Sequence, residues 1–415
     1  MSERKPETID TLIIGGGQAG LAMSYHLSQR GHPHLVLERG RVGERWISER
    51  WLGMHFQTPN AMVTLPGYKL PAEDPDGFGT AAEIAAYLGD YAARFEVPVR
   101  TGVSVTALRR NDAGFTAETS EGPVQARNVV VATGPYQTPI IPKILPETPG
   151  VVQIHANSYH APESLPPGAV LVVGAGASGA QIADELLRSG RKVYFSVSRH
   201  KRTPRHYRGL DHVRWWLETG FDRIPASQRP AEMLPLVHSG AYGGQTIDFR
   251  DFAARGMVLL GRVESAKGGV VRFAGDLLDN LAEGDAGCHA IMDGIDAFIA
   301  KTGMDLPPDP EARQFAPEPP GLRELIRELD LSEAGVTSII WATGYGVDFS
   351  WIDIPVFDAS GKPRHQGGTT EVEGLYFLGL EWLSKLSSQF LVGVGDDADH
   401  LATLITGQAL TQDGQ

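Results

Sequence analysis

The chain has 415 residues, 42% of them hydrophobic and 21% charged, with a formal net charge of −13. That length exceeds the ~250–300 residues at which a single hydrophobic core stops growing, so two domains are expected. The composition is that of a globular protein without a run of ~18 apolar residues to span a bilayer, and the acidic balance sets the averaged field against nucleic acid and anionic membranes. Cys288 is the only cysteine, which excludes an intramolecular disulfide and a Cys-x-x-Cys redox pair. No apolar signal segment opens the chain, and a cytoplasmic location is the expectation.

The first predicted element is a buried strand over Ile9–Ile14, ending on Gly15-Gly16-Gly17-Gln18-Ala19-Gly20, a G-x-G-x-x-G pattern. A helix follows with Leu21, Ala22, Tyr25 and Leu27 at helical spacing, and stops near Gly31. A second strand, His34–Glu38, ends in an acid about 20 residues beyond Gly15, the distance at which a carboxylate accepts hydrogen bonds from ribose hydroxyls. Gly15 permits the tight turn, Gly17 lets the backbone approach a pyrophosphate, and Gly20 lets helix and strand pack closely. The helix N-terminus then offers free N–H groups and partial positive charge to phosphates.

The unit recurs. A strand over Ala169–Val173 leads into Gly174-Ala175-Gly176-Ala177-Ser178-Gly179, a helical stretch over Gln181–Ser189 and a strand over Lys192–Ser198. The position equivalent to Glu38 is Val197, so no acid stands there. Ser196, Ser198, Arg199, His200, Lys201 and Arg202 surround it instead. An acid would repel a 2′-phosphate, whereas hydroxyls and cations bind one, so the second site reads as built for NADP; a solvated basic loop is the alternative. Two apolar strands, Val129–Val131 and Ile339–Trp341, each end in Ala-Thr-Gly: Ala132-Thr133-Gly134 and Ala342-Thr343-Gly344. Each lies downstream of one glycine loop. The expected fold is therefore α/β, with two Rossmann-like dinucleotide-binding domains: residues 1–165 and 345–415 form one, and 166–344 form the other, inserted into it. Between about 205 and 335 the signals are short apolar segments, a helix over Ile291–Ile299 and a proline-rich loop over Pro307–Pro320, read as a cover over the active site.

These residues resemble the two-dinucleotide-binding-domain flavoproteins, and more narrowly the flavin-containing (class B) monooxygenases, with a pattern similar to bacterial members and to plant auxin-forming ones. The resemblance spans nearly the whole chain. It rests on both glycine loops, Gly43-Glu44-Arg45-Trp46, Gln57-Thr58-Pro59-Asn60-Ala61-Met62 with Leu65-Pro66-Gly67, Asp76-Gly77-Phe78, both Ala-Thr-Gly ends and Gly374-Leu375-Tyr376-Phe377-Leu378-Gly379. It implies FAD at the first loop and NADPH at the second. Glu38 and Arg39 would take the adenosine ribose, Arg45 and Trp46 would flank pyrophosphate and flavin, and the backbone of Val105 would meet the adenine. His55, Gln57, Thr58 and Asn60 would run beside the isoalloxazine ring. Phe390 and Leu391 would lead into a helix whose N-terminus faces the pyrimidine edge, where Asp396 or Asp397 alternatively serves as an N-cap.

The implied activity is NADPH-driven reduction of FAD, capture of O2 as a C4a-(hydro)peroxyflavin and oxygen transfer to a small organic substrate. Asn60 is the candidate catalytic side chain, with a turn asparagine as the alternative. The family fingerprint Phe-x-Gly-x-x-x-His followed by an aromatic is only partly present: Gly150, His155 and Tyr159 occur, with the glycine one residue too far and no phenylalanine. That departure weakens the case for Baeyer–Villiger insertion. Two rival functions are a flavin reductase or oxidase that inserts no oxygen, and a nucleotide-bound redox sensor. Arg205–Arg208 reads either as a clamp on NADPH or as a solvated loop. His212, Trp215 and Trp216 read either as pocket lining or as core. No histidine has metal-ligand spacing, and no metal is assigned.

Overall fold

A computed structural model of the chain describes residues 7–408. The chain first lays down β1 (Glu7–Ile14), β2 (His34–Glu38), β3 (Val99–Thr101), β4 (Val105–Asn111), β5 (Gly114–Thr119) and β6 (Val124–Val131). It then crosses to β7 (Val152–His155), β8 (Ala169–Val173), β9 (Val193–Ser196), β10 (Val258–Leu260) and β11 (Val336–Trp341), and returns for β12 (Ile352–Asp353) and β13 (Leu375–Phe377). The first sheet runs β12-β4-β5-β6-β1-β2-β3, with β13 also on β6; the second runs β7-β11-β8-β9-β10. Every pairing in the second sheet is parallel.

In each sheet the strand before a glycine loop is central. On one side lies the strand that follows the helix, and on the other the strand that ends in Ala-Thr-Gly. The apolar runs Leu12–Ile14, Val129–Val131 and Val170–Val172 are buried, as strands covered on both faces must be. The first sheet's core takes in the apolar residues of α1 (Gln18–Gln29) and α2 (Ala81–Arg94), and the second packs α3 (Ala177–Arg188) through Ile182 and Leu186. The antiparallel β4–β5 hairpin, which sequence periodicity did not single out, pairs with the first half of β6, and β13 pairs with its second half.

Three further helices shape the site: α4 (His212–Thr219), α5 (Leu277–Thr302) and α6 (Val394–Thr406). α5 extends well beyond the expected Ile291–Ile299. Its buried stripe, Leu277, Leu281, Gly284, Cys288, Met292, Ile295 and Ile299, holds helical spacing throughout. Gly284, Gly287 and Gly294 lower its intrinsic propensity and masked the signal, so tertiary burial supplies what the residues lack. Gly284 has a packing reason, because a Cβ there would lie 2.6 Å from His200 Nε2. Among the described residues no helix is long and apolar enough to cross a membrane.

The two crossings between sheets run side by side. Thr138–Pro139 pairs antiparallel with Tyr345–Gly346, and the Thr343 hydroxyl donates to Ile140 O at 2.5 Å. His155, from the partial fingerprint, bonds Gly344 O at 3.0 Å, and Tyr159 donates to Glu185 at 2.7 Å. His155 therefore ties the end of β7 to the return crossing, and Tyr159 ties the same region to α3.

Gly179→Ala tests the loop packing. A Cβ there would stand 1.9 Å from the Gly174 carbonyl oxygen, so the helix must shift. We expect a loss of about 1–3 kcal/mol, read as a lower urea midpoint. An unchanged midpoint would contradict the packing described.

Candidate active site

At the first loop, Gly15 N donates to Leu37 O at 2.8 Å and Ala132 N donates to Ile14 O at 2.8 Å, so the turn is pinned to both neighbouring strands. Gly15 has φ +116°, and a Cβ on it would lie 2.6 Å from Ala132 O. A Cβ on Gly17, by contrast, would meet nothing within 4 Å. That open space lies before the N-terminus of α1, which no side chain caps. A backbone cradle with free N–H groups and room above it suits a pyrophosphate. Glu38 stands at its edge, with Oε2 accepting from Gly16 N at 2.7 Å and Oε1 from Gly40 N at 2.8 Å. Both oxygens are thereby fixed, and each keeps lone-pair capacity for a ribose hydroxyl. Arg39 is exposed beside it. Val103 N donates to Glu38 O at 3.0 Å, which brings the half-buried start of β4, Val105, to the same end of the sheet.

Other expected residues converge on this loop. Gly43 N donates to Gly16 O at 3.2 Å. Arg45 pairs with Glu49 at 2.6 Å and donates to Gln137 O at 3.1 Å. Trp46 meets Phe56 edge-on at 5.3 Å. Gln137, unremarked in the sequence, also donates to Thr133 Oγ1 at 3.0 Å and Gly134 O at 2.8 Å, tying the first Ala-Thr-Gly to Arg45. His55 bridges Thr80, and Gln57 and Thr58 follow half-buried. Asn60 is buried; its Nδ2 donates to Asp74 O at 2.9 Å, while Oδ1 has no partner. From the C-terminal part, Gln389 O accepts from Gln18 Nε2 at 2.6 Å, which sets Phe390 and Leu391 against the loop. Ala19 lies against Gly379, where an added Cβ would come within 2.6 Å. The N-cap of α6 is Gly393, so neither Asp396 nor Asp397 caps it. Both instead sit in its first turn, Asp396 on Lys385 and Asp397 accepting from Ser384, with burial pushing the Asp397 carboxyl up.

The second loop repeats this construction. Gly174 N donates to Ser196 O at 3.2 Å and Ala342 N to Val173 O at 2.8 Å. Gly176 caps α3 without a side-chain bond, with Ala177 and Ser178 opening the helix and Gly179 packed on Gly174. Thr343 and Gly344 continue from β11 into the crossing. Of the expected phosphate-binding string, the Ser196 hydroxyl is spent on Gly261 O at 2.9 Å. Arg202 is buried against Asp248 at 2.7 Å and Asp285 at 3.1 Å, and His200 is buried on Ser198 O. Ser198, Arg199 and Lys201 keep surface. Arg199 is bracketed by Glu232 and Glu283, each at 2.6 Å, so a phosphate would have to displace a carboxylate.

The segment from Pro235 to Gly240 runs from the second loop to Phe56. A Cβ on Gly176 would lie 3.5 Å from Pro235, and one on Gly240 would lie 1.9 Å from Phe56 O. Arg205 reinforces the junction. It is 1% exposed, pairs with Asp211, lies over the Phe78 ring at 4.6 Å and donates to Gln57 O at 2.8 Å. The reading of 205–208 as a solvated loop is therefore corrected for Arg205: a buried guanidinium reaches from the second-sheet side of the cleft to the first. Trp215 is core, donating Nε1 to Tyr207 O at 2.8 Å, whereas Trp216 is half-buried and faces Phe390 at 6.0 Å. His212 and His238 are both buried with rings 5.6 Å apart. Burial holds His212 well below the ordinary imidazole range, and burial then Arg205 lower His238 to about 3.

The comparisons with known proteins agree with this geometry. The model of the pyridine nucleotide-disulphide oxidoreductase family matches residues 12–234, which contain both glycine loops. The chain belongs to that family. An uncharacterized oxidoreductase, CzcO-like, of Geobacillus kaustophilus is 34% identical over 398 residues, covering 95% of this chain and 97% of its own. A probable indole-3-pyruvate monooxygenase, YUCCA1, of Arabidopsis thaliana is 32% identical over 192 residues, 45% of this chain and 46% of its own. A flavin-containing monooxygenase from Stenotrophomonas maltophilia shares the fold with a TM-score of 0.66 at 18% identity, covering 97% of this chain and 99% of its own. The resemblance to flavin-containing monooxygenases, bacterial and plant auxin-forming alike, is borne out.

Two measurements check the cleft. Arg205→Met leaves Asp211 buried without its partner and cuts the tie to Gln57, so a loss of about 3–5 kcal/mol is expected in chemical denaturation; a loss below about 1 kcal/mol would contradict the junction. The buried histidines set a pH dependence. Their folded values lie below the unfolded value of about 6.5, so the stability they contribute is present above pH ~6.5 and is lost as pH falls toward about 3 for His238. The slope of stability against pH in that window should flatten in His238→Gln; an identical slope would contradict its burial as the neutral form.

Proposed function

We propose that the chain is an FAD-dependent, NADPH-consuming monooxygenase acting on a small organic substrate. Residues 1–165 and 345–415 hold FAD, and 166–344 hold NADPH. The observation that carries this reading is the pair of like-built glycine loops, one with a carboxylate at its strand end and one without. Family membership as an oxidoreductase and the flavin-containing monooxygenase fold neighbour support it.

In this reading Gly15, Gly17 and Gly20 shape the cradle, and the N-terminus of α1 meets the FAD pyrophosphate. Glu38 accepts from the adenosine ribose, with Arg39 and Val105 beyond it. Arg45 and Trp46 line the passage to the ring, beside His55, Gln57 and Thr58. At the second loop, the N-terminus of α3 meets the NADPH pyrophosphate, and Ser198 and Arg199 bind the 2′-phosphate. When bound, the flavin supplies hydride acceptance and the activation of O2, while the protein supplies position and dryness. Asn60 presents its unpartnered Oδ1 as a hydrogen-bond acceptor beside the ring. Phe56, Phe78, Trp216 and Phe390 keep water from the cleft. A disulfide reductase does not fit: the one cysteine, Cys288, is buried, and burial pushes its thiol up to about 11.

Steady-state and anaerobic reduction of the FAD-loaded protein with NADPH and with NADH test the assignment. NADPH should be preferred. Arg199→Ala should raise KM for NADPH about tenfold, the scale of one lost charge-assisted contact, and leave NADH unaffected. Equal use of both nucleotides, unaltered by the substitution, would overturn the NADP assignment.

A further inference from the structure

Among the described residues Met233 is the exposed methionine: it is 45% exposed, whereas Met23, Met54, Met257 and Met292 are buried and Met62 and Met304 half-buried. Its thioether has a partner. Trp382, itself buried, donates Nε1 to Met233 Sδ at 2.9 Å. Sulfur is a weak acceptor, and a buried indole N–H more commonly meets an oxygen. Here an oxidisable atom at the surface satisfies a group in the interior.

Both sides of this contact are held. Glu232 pairs with Arg199 at 2.6 Å and Pro235 O accepts from Lys201 N at 2.9 Å, so the sulfur is fixed to the second-sheet side of the cleft. Trp382 has φ +55°, the left-handed region that a bulky residue enters only under constraint, at a cost on the order of 1–3 kcal/mol. Its neighbours supply the constraint. Ala226 N donates to Ser384 O at 2.8 Å, Leu386 N donates to Ile224 O at 2.9 Å, and Glu381 pairs with Arg229 at 3.5 Å. The strained turn lies between Gly379, packed on Ala19 of the first glycine loop, and Gln389, whose carbonyl accepts from Gln18 of that loop. Residues 379–389 therefore meet the first cradle at both ends.

We infer that Met233 is a modification site at which hydrogen peroxide weakens the protein's hold on FAD. The sulfur lone pair attacks one peroxide oxygen and the O–O bond breaks. The proton of the transferred hydroxyl passes to the leaving hydroxide, so the thioether is oxidised to a sulfoxide and peroxide is reduced to water. A sulfoxide accepts through its oxygen rather than its sulfur, so indole and sulfur must part by about 1 Å for the bond to be remade. Glu232 and Pro235 hold the sulfur's side, and the displacement falls on the strained turn, which relaxes away from Ala19 and Gln18. The inference rests on FAD lying at the first loop, and adds to that reading a site, an oxidant and a direction of effect.

Graded hydrogen peroxide on the full-length, FAD-loaded protein tests this, with peptide mass mapping to locate the added oxygen and the fluorescence of released flavin to report FAD binding. Met233 should gain an oxygen before Met62 and Met304. The FAD dissociation constant should rise in step by about fivefold, the scale of one neutral hydrogen bond. Treatment with methionine sulfoxide reductases and a dithiol should restore it. Met233→Leu lacks the oxidisable atom, so peroxide should leave its FAD affinity at the untreated value, whatever that value is. Oxidation of Met62 or Met304 ahead of Met233 overturns the inference, as does complete oxidation of Met233 with FAD affinity unaltered. Equal loss of FAD from Met233→Leu under peroxide also overturns it and assigns the effect to another group. An untreated protein that does not hold FAD contradicts the cofactor assignment, and the inference with it.

Discussion

The close approach of a helix start to the strand before it governs this molecule. At Gly20 and Gly179 an added Cβ would lie 1.9 Å from the carbonyl oxygen of Gly15 and Gly174, and only a hydrogen fits. Because the helix can come so near, its first turn is aimed along the strand at open space rather than covered by side chains. Free N–H groups and the helix dipole then meet at one point, twice in the chain. The flanking strands follow from the same need, since each turn is pinned between a strand that supplies a carbonyl and one that ends in Ala-Thr-Gly.

The cleft between the loops depends on a less common device. Arg205 is buried, and burying a guanidinium is costly unless every N–H is met. Asp211, Gln57 O and the face of Phe78 meet it. Asp211 on its own side neutralises the charge, while Gln57 O and Phe78 from the other side take up its remaining N–H group and its face. The neighbouring neutral histidines carry the opposite balance, with donors left unmet. Satisfied polarity at Arg205 thus ties the walls together, beside a pair of buried imidazoles that burial keeps neutral.

Much of the fold was legible because its signals are local. Gly15–Gly20, Gly174–Gly179, Glu38 and both Ala-Thr-Gly ends occupy fixed places in a strand–turn–helix unit, and periodicity marks the strands around them. The hairpin Val105–Asn111 with Gly114–Thr119 and the first half of α5 escaped, because one alternates weakly and the other carries two glycines, Gly284 and Gly287, in a helix held by burial. The site was legible where a residue acts through its own loop. It was not legible where partners are distant: Gln137 linking Thr133 to Arg45, Arg205 reaching Gln57, and His238 meeting His212. Arg202 and Ser196 show the converse. A basic and hydroxylated string marks a 2′-phosphate site in composition, yet tertiary partners take Ser196 and Arg202 and bracket Arg199 before any phosphate arrives.

The most direct test of the account is stopped-flow absorbance on the FAD-loaded protein, reduced anaerobically by NADPH and then mixed with oxygenated buffer in the presence and absence of a panel of small organic compounds. The account predicts a distinct absorbance band between the reduced and oxidised flavin spectra, longer-lived than in free flavin, whose decay yields oxygenated product. Direct return to the oxidised spectrum with stoichiometric peroxide release, both with and without such compounds, would contradict it and assign the protein to the oxidases.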